Sequence, residues 1–70
     1  MLQSQQVEEL MSVVSTLDRP SLIREFQTYR ASFPVDFTND FLRSESTERL
    51  RHIFVAMCLQ NQKLPDIVAA

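Results

Sequence analysis

Not one of the 70 residues is glycine, and that absence narrows the range of possible folds more than any motif present. Glycine adopts positive φ without steric cost, so it serves tight hairpin turns and the left-handed ends of helices. A chain without it is a poor builder of hairpins. Phosphate-cradling loops and dinucleotide-binding fingerprints need glycine at fixed spacing and are excluded. The chain therefore reads as all-α, with helices ended by proline, asparagine or other polar residues.

The segment Leu50–Leu59 reads Leu-Arg-His-Ile-Phe-Val-Ala-Met-Cys-Leu. At helical spacing Leu50, Ile53, Phe54, Met57 and Cys58 form one apolar face. His52, Val55 and Leu59 form a second stripe roughly opposite. A helix with two apolar sides must be covered on both, so it is expected either at the centre of its own bundle or in contact with another chain.

The remaining helices follow from spacing and punctuation. Val7, Leu10, Met11, Val14 and Leu17 share one face of a helix over about residues 5–17, with Ser4 as a capping candidate and Glu8 and Glu9 near the positive end of its dipole. Asp18-Arg19-Pro20-Ser21 breaks the chain, and Pro20 suits an early helical position. The second helix is expected over 20–32, with Leu22, Phe26, Tyr29 and Phe33 aligned and Pro34 as its stop. Asp36 or Thr38 can cap a short helix over 37–43, in which Phe37 and Phe41 lie one turn apart. Ser44 or Ser46 starts the last helix, over 46–62. Glu45 precedes Arg49 by four residues, the favourable order for an ion pair worth roughly 0.2–0.5 kcal/mol. The expected architecture is a compact bundle of three main helices plus one short one, with the last helix central. Residues 1–70 make a single small domain with frayed ends at about 1–3 and 65–70.

At this length a single core is marginal, and small domains are often reinforced by disulfides, a metal or a partner subunit. Cys58 is the only cysteine, so no intrachain disulfide can form. His52 and Cys58 are too few for structural zinc, which takes about four ligands. No metal or other cofactor is expected. The 44% hydrophobic content argues against disorder. The net charge of −2 offers no general attraction to nucleic-acid phosphates. No apolar run approaches the roughly 20 residues that span a bilayer. The opening Met1–Gln6 stretch has neither the basic start nor the apolar core of a signal peptide. A cytoplasmic location is the corresponding expectation.

Catalytic constellations are absent from the pattern. His52 and Cys58, six residues apart, project about 120° apart around a helix axis and cannot meet within it; Cys58 reads as a small core residue. Asp36 and Asp40 are explained by capping and solvation. The arginines Arg24, Arg30, Arg49 and Arg51 could contact an anion or nucleic acid if they shared a face, because Arg suits planar bidentate partners. Glu45 and Glu48 at the start of the last helix oppose a recognition-helix reading, and a solvated, salt-paired surface is the simpler account.

The sequence thus points to a non-enzymatic helical module that binds protein, most simply a second copy of itself through the last helix, or a larger assembly. The interface candidates are His52, Val55 and Leu59, and secondarily Phe37 and Phe41. Nucleic-acid association through the four arginines is the alternative, and a small enzyme or metal protein ranks third. No small-molecule ligand or membrane partner is expected.

Overall fold

The structure, a computed structural model, describes residues 1–29, 38–65, 67 and 68, with Asn39 described by its backbone only. Four helices make up the fold: α1 (Ser4–Thr16), α2 (Arg19–Thr28), α3 (Asn39–Ser44) and α4 (Thr47–Asn61). The all-α architecture follows the sequence pattern, and the last helix is central, with α1 and α2 each packed against α4.

Helix starts obey local chemistry. Asp18 accepts from the Ser21 N–H at 3.0 Å, with Pro20 in the first turn of α2. The Ser21 hydrogen bonds hold the Asp18 carboxyl below the usual carboxylate range. Thr38 caps α3 through the Phe41 N–H at 3.1 Å, and Ser46 caps α4 through the Arg49 N–H at 3.1 Å. The start of α1 is one residue earlier than its serine suggests: Gln3 precedes the helix, and its N–H donates to Gln6 Oε1 at 2.8 Å.

Helix ends use the substitutes that a glycine-free chain requires. At the end of α4, Gln62 takes the left-handed conformation (φ 53°). Its N–H bonds the Leu59 carbonyl and the Lys63 N–H bonds the Cys58 carbonyl, both at 3.2 Å, the paired bonds that glycine ordinarily closes. Arg51 reaches the carbonyl of Leu17 at the end of α1 (2.8 Å). Arg19 spans the end of α3, donating through Nη1 to the carbonyls of Leu42 (2.9 Å) and Arg43 (3.2 Å) and through Nη2 to that of Glu45. These cations also stand at the negative ends of helix dipoles.

The second helix is shorter than its pattern implies. It ends at Thr28, and Tyr29 is already extended (ψ 133°), so the expected helix over 20–32 is corrected at its C-terminal end. Tertiary contact explains the early stop. The Tyr29 hydroxyl donates to the Lys63 carbonyl at 2.7 Å, and its ring meets Phe54 edge-on at 5.7 Å. The short helix starts at Asn39, two residues later than expected. Phe33, Pro34 and Phe37 lie outside the described residues.

The core joins Leu10 and Val14 of α1, Leu22 and Phe26 of α2, Leu42 of α3, Leu50, Phe54, Met57 and Cys58 of α4, and Val68. Phe26 and Phe54 meet edge-to-face at 5.2 Å, a favoured aromatic geometry. At the C-terminal side Pro65 and Val68 are buried, and the Val68 N–H bonds the Pro65 carbonyl at 3.0 Å.

Helix directions follow from the long-range hydrogen bonds. Leu17 stands beside Arg51, and the Leu2 N–H donates to Gln62 Oε1 at 2.8 Å, so α1 runs antiparallel to α4. Arg19 lies beside the start of α4 and Tyr29 beside its end, so α2 runs parallel to α4. Both α1 and α2 pack against α4, with Phe54 turned to Phe26 and Tyr29 and Arg51 to the end of α1.

Candidate protein-interaction groove

The second apolar stripe of α4 forms one wall of an open groove of about 620 Å³. From α4 come Glu48, Arg51, His52, Val55, Ala56 and Leu59; from α1 come Met11, Val14 and Ser15. The middle is apolar. One end carries the three polar side chains of Glu48, Arg51 and His52.

Burial grades across the groove. Val14 is fully buried and forms its floor. Val55 and Leu59 are half-buried and packed against the core. His52, Ala56 and Glu48 are exposed. Met11 keeps 55% of its surface accessible, although its spacing places it with the core face of α1. The reason is geometric: Leu10 and Val14 reach α4, whereas Met11 lies one position around the helix, on the groove's lip.

Arg51 links the groove to the fold. While one guanidinium nitrogen holds the Leu17 carbonyl, its Nε is buried and has no hydrogen-bond partner among the described residues. A buried donor without a partner is destabilising by roughly 1–3 kcal/mol.

The other sequence candidates separate. Phe41 is half-buried and packs against the core, while Phe37 lies outside the described residues. Arg24 and Arg49 are exposed, Arg51 is occupied with Leu17, and Arg30 falls outside the described residues. Arg49 pairs with Glu45 at 3.2 Å, the expected four-residue pair, on a side chain too exposed to add more than a fraction of a kcal/mol. The structure therefore does not bring the four arginines into one described cluster.

Burial pushes the Cys58 thiol up to about 11, with a hydrogen bond to Tyr29 acting the other way; such a thiol is a poor nucleophile. Burial likewise raises the Tyr29 hydroxyl. Among the described residues, no three His, Cys, Asp or Glu side chains gather to hold a metal ion, and no helix is long and apolar enough to cross a membrane.

Reading the sequence alone named His52, Val55 and Leu59 of the α4 wall but missed Glu48 and Ala56 beside them and the α1 wall of Met11, Val14 and Ser15. The available signal was the surplus of apolar positions on α1, where five residues share a face that one neighbouring helix cannot fully cover. Comparison with family models, curated proteins and solved structures finds no match to this chain.

Proposed function

We propose that this chain is a protein-binding module that pairs with a second copy of itself through the α1/α4 groove. The observation that carries this reading is the apolar groove itself, which the half-buried Val55 and Leu59 of the central helix line together with the exposed Met11. An open apolar concavity of this kind marks an interaction site more often than bare surface. The size of the domain favours a second copy. Its core is small and its one cysteine excludes an intrachain disulfide, so close helix packing or association is the reinforcement open to it. Two-fold pairing also uses one patch twice.

The test is the weight-average mass across a range of concentrations. The expected result is a rise from 8.1 kDa to twice that value. Leu59→Glu is expected to weaken pairing by about 100-fold, because it places a charge where about 2–3 kcal/mol of apolar burial is formed. Its circular dichroism should keep the helical signature. A mass fixed at one chain at millimolar concentration would remove the reading.

A further inference from the structure

We infer that Met11 is an oxidation site through which a hydroperoxide controls the groove: conversion of its thioether to the sulfoxide loosens the pairing proposed above, on which the effect rests. The chain carries three methionines and one cysteine, and burial sorts their sulfur atoms. Met57 and Cys58 are buried in the core. Burial also holds the Cys58 thiol protonated, whereas the thiolate is the form that peroxides oxidise. Met1 is fully exposed but precedes α1 and does not line the groove. Met11 is the one sulfur-bearing residue that is both open to solvent and part of the groove wall.

The step is a two-electron oxygen transfer. A lone pair on the Met11 sulfur attacks one oxygen of the hydroperoxide and the O–O bond breaks. The departing oxygen takes the proton of the transferred one and leaves as water or an alcohol. Sulfur is oxidised, the peroxide is reduced, and a flexible apolar side chain becomes a polar one. The surroundings of Met11 offer that new acceptor little. Val14, Val55, Ala56 and Leu59 supply apolar lining. Ser15, one turn further along α1, already donates its hydroxyl to the Ser12 carbonyl at 2.7 Å. Covering a sulfoxide with a second chain therefore strips water from an acceptor without replacing it, a cost the thioether does not carry. A methionine sulfoxide reductase reverses the change, the oxygen leaving as water while a dithiol closes to a disulfide.

Hydrogen peroxide is the probe, read by peptide mass mapping and by sedimentation equilibrium. In the treated native chain one added oxygen is expected at Met11 and at Met1, with Met57 unmodified until urea is present. Pairing should weaken about tenfold, and a methionine sulfoxide reductase should restore it. Met11→Leu keeps an apolar side chain of similar volume. It should pair as the native chain does, and peroxide should leave its pairing unchanged although Met1 is oxidised. Met57 oxidised as fast as Met11 in the folded chain, or Met11→Leu as sensitive to peroxide as the native chain, would overturn the assignment to Met11. Complete oxidation of Met11 with pairing unchanged would overturn the inference while the pairing stands. An untreated chain that never pairs removes the reading beneath it, and this inference with it.

Discussion

The guanidinium of Arg51 donates to the carbonyl of Leu17 at 2.8 Å, tying the central helix to the residue that caps the C-terminus of α1. Arg19 performs the same service for α3, with three carbonyls within reach of one side chain. Two helix ends in a chain without glycine are thus closed by arginines that arrive from elsewhere in the sequence. These cations hold the bundle's helices in relative position as well as satisfying their ends.

The two arginines should differ in what their loss costs. Arg19→Met strips several carbonyls of a charged donor and is expected to destabilise by about 2–3 kcal/mol. Arg51→Met loses the Leu17 bond but also removes the unpartnered Nε, so about 1 kcal/mol is expected. Urea unfolding monitored by circular dichroism checks the order. An Arg51→Met chain less stable than Arg19→Met would show that the accounting of carbonyls is wrong.

Gln62 carries a second measurable consequence of the missing glycine. Its left-handed backbone costs a non-glycine residue roughly 1 kcal/mol, and its side chain compensates by accepting from the Leu2 N–H and donating to the Leu59 carbonyl (2.6 Å). Gln62→Ala keeps the backbone cost and loses both bonds, so stability should fall by about 1 kcal/mol. Gln62→Gly loses the bonds and the backbone cost together, and thermal unfolding should place it near the native chain. Equal losses in the two variants would contradict this balance.

Cys58 gives the expected pH dependence. Its thiol is pushed up to about 11 from an ordinary value of 9.0, so the folded state holds the proton more tightly than the unfolded one. The corresponding stabilisation is present below pH 9 and is lost as pH rises towards 11. Tyr29, raised by the same burial, acts in the same direction. The urea midpoint should fall over this range, and Cys58→Ala should show a smaller fall. At pH 8 the native chain should react slowly with iodoacetamide, and urea should accelerate the reaction; rapid native alkylation would be inconsistent with a buried thiol.

The fold was legible where local chemistry and periodicity act alone. Thr38 and Ser46 cap as their types suggest, Pro20 sits early in α2, and the double stripe of α4 places that helix in the middle. What was not legible depends on partners distant in sequence. Tyr29 looks like another turn of α2 until Lys63 and Phe54 are beside it. Arg19 and Arg51 look like surface charge until the carbonyls they hold are in place. Met11 looks like core by spacing, and only the position of α4 leaves it on a lip. The groove was half visible for the same reason: one helix shows its own excess of apolar surface, but not the neighbour that turns the excess into a concavity.

The most direct test of the account is an isotope-filtered nuclear Overhauser experiment on a mixture of methyl-labelled and unlabelled chains. The account predicts contacts between copies from the Val55 and Leu59 methyls to Met11. Cross-copy contacts arising only from surfaces remote from α1 and α4, or none at concentrations where the mass has doubled, would contradict it.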